Sequence, residues 1–387
     1  MLKRASRFIH SLDHAVGRAN GVRRVLVELR TPVYQAVLGP VYETLQEFPD
    51  VELSFTSEYP DSIGRLVSPD RFVSHRQAEW RRFDLYVNAD PWAAARLRRC
   101  ARRINFFHGV AGKYDLDRPA GLPMGLEYYD RVAFINRDRM SRYLDAGLVS
   151  ARQARLVGYP KLDRLASGRI DGAAVRSALG LDPERRTALY APTYSPTSSL
   201  HLAGDAIVQA LADAGLNVIV KLHDRSLDPD ARYTGGIDWR SRMRALERDG
   251  RIRHAEGADA SPLLAAADVM VTDHSSVGFE FLVLDRPLVV FDAPELAAAA
   301  RINPEKIALL RSAATVVRSP RELAAAAISE LNDPDRLSAH RRRVADVMFH
   351  DPGRATDRAV ALARGLLDDR RSEAPAAAAQ PARGGLS

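Results

Sequence analysis

Short β-type runs alternate with helical stretches along most of the chain, and this alternation restricts the fold more than any other feature. Residues 25–29 read as a strand, 34–47 as a helix and 51–55 as the next strand. Strands at 84–87 and 104–107 follow, with an Arg-rich helix expected between them, and 131–135 and 155–157 continue the series. A polar, irregular stretch comes near 166–174. A second series then starts, with strands at 188–190, 217–221, 268–272 and 287–291, and with helices at 205–214 and from 278. Strands that alternate with helices build parallel sheets covered on both faces. The expectation is therefore α/β, with two doubly wound units of similar size. Residues 21–168 form the first, and 169–370 form the second, which includes a final helix at 355–368. A segment 1–20 precedes them. The Ala, Pro, Gly and Arg tail 371–387 reads as disordered.

Charge is unevenly spread. The formal net charge is +7, and of 56 cations only Lys3, Lys113, Lys161, Lys221 and Lys306 are lysines. In a chain so biased to arginine, a lysine that persists suggests a site for a compact point charge. Seven cations stand in residues 1–30 against Asp13 and Glu28. Leu2, Ala5, Phe8, Ile9, Leu12 and Val16 gather on one helical face, opposite Lys3, Arg4, Arg7, His14 and Arg18. That is the pattern of a basic amphipathic helix able to lie on an anionic membrane surface. A helix packed on its own domain with a solvated basic face has the same pattern. A second cluster, Arg96, Arg98, Arg99, Arg102 and Arg103, has no nucleic-acid motif beside it, so nucleic acid is not an expected partner. No run of 18 uncharged apolar residues exists, which argues against a transmembrane helix. One cysteine, Cys100, excludes a disulfide framework and a cysteine-based zinc site. The histidines lack ligand spacing, so no metal site is expected. The front lacks the apolar core of a secretory signal. A cytoplasmic protein, peripheral on the inner face of the membrane, is the expectation.

Five segments stand where strands are expected to end, and open α/β sheets bind ligands there. The first runs from Phe106 to Lys113. It presents His108 and two glycines that let backbone approach a ligand, then Lys113. The second, 157–163, has Gly158 and Pro160 in a turn followed by Lys161. The third, 190–194, places Pro192 and Thr193 after a strand. The fourth carries Lys221 and His223, set on one side by strand alternation. The fifth, 269–280, runs a buried strand into Asp273, His274, Ser275 and Ser276 at a helix start. Backbone N–H groups and two hydroxyls there suit an anion, and Glu280 lies one turn on. Each segment has a plainer reading: a capped strand, a turn, or a serine N-cap with a nearby acid. No nucleophile elbow, Gly-x-Gly-x-x-Gly or Walker loop is present.

Taken in order, HGVAGK (108–113), GYPKLD (158–163), APT (191–193), KLHD (221–224) and DHSSVGFE (273–280) resemble the CDP-glycerol glycerophosphotransferase family. These are enzymes of the teichoic-acid primase and polymerase type. The resemblance extends over about 105–365, with Asp285-Arg286-Pro287 and Asp351-Pro352-Gly353-Arg354-Ala355 as further matches. It implies the GT-B fold, two facing Rossmann-like units with the donor in the cleft between them. It also implies transfer of a polyol phosphate, glycerol phosphate foremost, from a CDP-linked donor to a hydroxyl of a membrane-anchored glycan or lipid, with release of CMP and no separate cofactor. His108 would be the base, with His223 as a second catalytic histidine. Gly109, Lys113, Lys161, Pro192, Thr193, Lys221, Ser275, Ser276 and Glu280 would bind the donor. Val110-Ala111, Lys161 and Asp224 depart from the family pattern, which commonly has Thr-Pro, Arg and Pro there. Two other readings share these features. One is a GT-B glycosyltransferase or UDP-N-acetylglucosamine 2-epimerase-like enzyme. The other is a binding module without turnover.

Overall fold

The computed structural model describes residues 21–64, 67–90, 97–119, 125–247 and 250–369. Segment 1–20, the tail 371–387 and Arg96 lie outside them, and with them the expectations of a basic helix and a disordered end. Among the described residues, no helix is long and apolar enough to cross a membrane.

The strands form two six-stranded sheets, each parallel throughout. The first comprises β1 (Arg23–Glu28), β2 (Val51–Thr56), β3 (Phe83–Asn88), β4 (Cys100–Phe106), β5 (Arg131–Phe134) and β6 (Ala154–Leu156), in the order β2-β1-β3-β4-β5-β6. The second comprises β7 (Thr187–Tyr190), β8 (Asn217–Val220), β9 (Ile252–His254), β10 (Val269–Thr272), β11 (Leu288–Phe291) and β12 (Thr315–Val317), in the order β12-β11-β10-β7-β8-β9. Both orders reverse direction once. The reversal lies between β1 and β3 in the first sheet and between β7 and β10 in the second. Ligands of open parallel sheets bind at the carboxyl ends beside such a reversal.

Central strands are largely apolar on both faces because helices cover both. Every residue of β3, β7, β8, β10 and β11 is buried, as expected of strands inside doubly wound sheets. Register follows from this: Val271 pairs with Tyr190 on one side and with Val289 on the other.

Three local expectations need correction. The Arg-rich stretch before residue 104 is not helical where it is described. β4 starts at Cys100, so Arg102 and Arg103 stand in a strand. Arg103 N donates to Asp130 Oδ2 at 2.8 Å, and its guanidinium reaches Leu97 O at 2.9 Å. β8 ends at Val220, so Lys221 and His223 leave the sheet and belong to the following loop. The helix Ala355–Asp368 packs on the first unit rather than the second. Its Ala359, Val360, Ala363 and Leu367 share a core with Val37, Leu38 and Val41 of the helix Pro32–Leu45. Arg364 also pairs with Asp50 at 2.9 Å. Short β9 and β12 were not anticipated, because three residues of mixed polarity carry no period.

Candidate functional site

The HGVAGK loop follows β4 and is built to hold one shape. Gly112 has φ +63, and a Cβ there would lie 2.5 Å from Asp117 Oδ2, so only glycine fits. Gly112 O accepts from Asn303 N at 3.0 Å, and Tyr114 N donates to Ala300 O at 3.2 Å, which ties this first-unit loop to the second unit. Arg139, fully buried, donates to Gly109 O at 2.6 Å and to Asp117 Oδ1 at 2.8 Å.

His108 is oriented by its backbone surroundings. Its Nδ1 contacts Ala89 O. A carbonyl only accepts, so Nδ1 carries the proton and Nε2 keeps a lone pair in the neutral ring. Burial pushes the His108 pKa down, while the charge of Asp90 and the Ala89 bond oppose that push. The ring is thus neutral at pH 7, with Nε2 ready to take a proton.

Two loops of the second unit meet at its direction reversal. β7 runs into Ala191-Pro192-Thr193, and β10 runs into Asp273-His274-Ser275. Asp273 joins them. It is fully buried and accepts from Thr193 N at 2.9 Å, Ser199 N at 3.1 Å and Ser199 Oγ at 2.9 Å. Asp273 therefore fixes the loop that follows β7 and the start of the helix Ser199–Asp213. Ser275 is the N-cap of the short helix Ser276–Phe281, but its hydroxyl makes no capping bond. The plainer reading of a serine capping bond is thus not met, and both serines stay partly exposed at the carboxyl edge of β10.

Lys113 reaches across from the first unit. Its Nζ donates to Thr193 Oγ1 at 3.0 Å, and burial lowers its pKa to about 8 against the raising effect of Asp273. His223 lies beyond β8, its ring centroid 4.5 Å from that of Tyr194 and tilted by 46°, and the Tyr194 hydroxyl meets that of Tyr114 at 2.6 Å. His223 Nδ1 accepts from Arg225 N at 3.1 Å, which leaves the proton of the neutral ring on Nε2. Burial, then the charges of Lys221, Lys113, Arg225 and Lys161, lower its pKa to about 3. The two histidines thus rest in opposite tautomers, His108 offering a lone pair and His223 an N–H. Lys221 donates to Leu222 O at 2.6 Å and sits 3.9 Å from Asp224, and burial lowers its pKa.

The structure brings Lys161 and Glu280 together. Lys161 Nζ and Glu280 Oε2 are 2.7 Å apart, with both side chains almost fully buried. A carboxylate and an ammonium so deep need each other. The pairing also drives the lysine pKa up, against the effect of burial. Gly158 lies beside it in a close approach: with φ +92, a Cβ would stand 2.5 Å from His350 O. Asp163 of the same motif receives Gly353 N at 2.8 Å, Ala355 N at 3.1 Å and Thr356 N at 2.5 Å. Lys306, outside every motif, is buried 3.1 Å from Asp138 and 4.0 Å from Asp117. Sequence reading missed Arg139, Asp163, Asp273 and Lys306 as organisers of the site. Asp163 and Asp273 lay inside quoted motifs, and the scarcity of lysine pointed at Lys306. Nothing marked Arg139 among its neighbouring arginines. Among the described residues, no cluster of three metal-ligating side chains occurs.

The family model described as CDP-Glycerol:Poly(glycerophosphate) glycerophosphotransferase matches residues 136–364. A teichoic acid glycerol-phosphate transferase of Staphylococcus aureus is 26% identical over 167 residues, which cover 42% of this chain and 41% of that protein. The match thus spans about two fifths of that relative's length. Among solved structures, the wall teichoic acid polymerase TagF superposes with a TM-score of 0.67 at 16% identity, over 95% of this chain and 99% of that one. A UDP-GlcNAc 2-epimerase of Neisseria meningitidis bound to UDP-GlcNAc gives 0.54 at 12% identity, over 86% and 97%. These structural likenesses establish the fold, two facing α/β units of the GT-B kind.

Proposed function

The chain belongs to the CDP-glycerol:poly(glycerophosphate) glycerophosphotransferase family, and from that premise we propose that it moves glycerol phosphate from CDP-glycerol to a hydroxyl of a membrane-associated glycan or lipid acceptor in wall teichoic acid synthesis. CMP is the second product. The observation that carries this reading is the pair of histidines in opposite tautomers, with lysines of both units beside the second one.

In this reading the acceptor O–H bond breaks and its proton passes to His108 Nε2. The oxygen attacks the β-phosphorus of CDP-glycerol, the bond from that phosphorus to the bridging oxygen breaks, and CMP leaves with the electron pair. Such a transfer needs mainly alignment and neutralisation of charge. Lys113, Lys221 and Lys161 supply positive charge, His223 Nε2 donates a hydrogen bond to the departing phosphate, and Ser275 and Ser276 donate hydroxyls to phosphate oxygens. Gly109, Pro192 and Thr193 bring backbone close to the donor. Glu280 holds Lys161 and accepts from glycerol hydroxyls. The first unit holds the acceptor, and the basic segment 1–20 keeps the enzyme at an anionic membrane face.

CMP release from CDP-glycerol, with the membrane fraction as source of acceptor, tests the reading. His108→Gln is expected to lower kcat by about a thousandfold while CDP-glycerol still raises the melting temperature. Unchanged CMP release in that variant overturns the reading. Stabilisation by UDP or UDP-N-acetylglucosamine without any by CDP-glycerol overturns it in favour of a nucleotide-sugar enzyme.

A further inference from the structure

Behind His108 stands a carboxylate to which the transfer step above gives no part. Asp90 follows β3 and is 5% exposed. Its Oδ2 accepts from Arg30 Nη1 at 2.6 Å and from Tyr34 Oη at 3.1 Å. Arg30 follows β1, and Tyr34 lies in the helix Pro32–Leu45, so the three side chains converge where the first sheet reverses direction. Tyr34 also meets the His108 ring edge-on, with centroids 4.7 Å apart and planes at 89°. The residue before Asp90 provides the carbonyl on His108 Nδ1. Asn88 Nδ2 donates to Asp90 O at 3.1 Å and pins that corner. Residues 88–90 thus orient the imidazole through backbone and fix a negative charge close behind it.

We propose that Asp90 is a positioning residue for His108: its carboxylate, held by Arg30 and Tyr34, stabilises the imidazolium that forms when the acceptor's proton arrives. The inference rests on His108 being the base. As the acceptor O–H bond breaks and the Nε2–H bond forms, the ring gains one positive charge and keeps its Nδ1 proton on Ala89 O. Asp90 touches no substrate. Other groups act on the ring from every side. Burial and the cations Arg139 and Lys161 disfavour the imidazolium, and Asp90 is the carboxylate that favours it. Arg139 is engaged with Asp117 and Lys161 with Glu280. Arg30, itself 3.1 Å from Glu58, tempers Asp90. Burial holds the Tyr34 hydroxyl protonated, so it remains a donor.

The test follows the His108 ring by NMR in the full-length enzyme labelled with ¹³C at histidine, with His108→Gln identifying its resonance, and measures CMP release against pH. Asp90→Asn is expected to lower the His108 titration by about one pH unit. It should also cut kcat about tenfold or more with the affinity for CDP-glycerol unchanged. Arg30→Met, which leaves Asp90 less compensated, is expected to move the titration upward. It also serves if the first variant folds poorly. Movement in these opposite senses supports the proposal, because a merely structural role would weaken both proteins without it. A His108 titration that stays put in both variants, while His108→Gln is inactive, overturns the proposal alone. Undiminished CMP release in His108→Gln overturns the reading of the base, and the role of Asp90 with it.

Discussion

Single residues of this site were legible to the extent that chemistry is carried by residue type. His108, Lys113, His223 and the two serines stood out because each lies just beyond a strand, and the structure puts them at carboxyl edges. Asp90 and Arg139 did not stand out, since an aspartate or an arginine among many says nothing until its neighbours are known. Lys113 gives a prediction at this scale. Its pKa is lowered to about 8 by burial, against about 10.4 in an unfolded chain. Between those values the unfolded chain keeps the proton and the folded one does not, so this group's contribution to stability rises with pH across that window. Donor binding runs the other way, because the ammonium is the form that attracts a diphosphate. Calorimetry at pH 7 and pH 9 should show the affinity for CDP-glycerol falling with rising pH. Lys113→Met should weaken binding about tenfold or more at pH 7 and remove most of the difference between the two pH values. A pH difference that survives in Lys113→Met assigns the titration to another group.

Among the elements, apolar strands were readable and contacts remote in sequence were not. β7, β8, β10 and β11, four residues each, are mostly apolar and wholly buried, which is what burial on both faces demands. The arginines at 102 and 103 hid the first half of β4, because each finds its partners only through the sheet. The final helix was legible as a helix but not in its placement. What seats it is Asp163, which takes the N–H groups of Gly353, Ala355 and Thr356 from about 190 residues upstream. A carboxylate at a helix N-terminus answers both the unpaired donors and the helix dipole. Asp163→Ala leaves those donors without a partner and should cost about 1–3 kcal/mol. Amide exchange offers the local readout: protection within 355–368 should drop while that of the second sheet holds. Equal loss in both would mean that Asp163 supports the whole fold rather than this helix.

At the scale of the molecule, the alternation of strands and helices was enough to expect two units, but not what joins them. Beside the apolar core they share, ion pairs join them: Lys306 with the half-buried Asp138, and Lys161 with Glu280, both buried. Their partners lie more than a hundred residues apart, so no local pattern reveals them. Burial of an ion pair is costly in itself, and removing one partner costs more than removing both, because it strands a charge. Lys161→Met should therefore lower stability by about 3–5 kcal/mol, whereas Lys161→Met with Glu280→Leu should regain most of that loss, as read by urea denaturation. If the double variant is no more stable than the single, the two charges are not coupled and the contact is incidental. If it is more stable but binds CDP-glycerol weakly, the pair is there for the donor: a hydrophobic joint would hold the units together as well, but it would offer a diphosphate no ammonium N–H to donate a hydrogen bond.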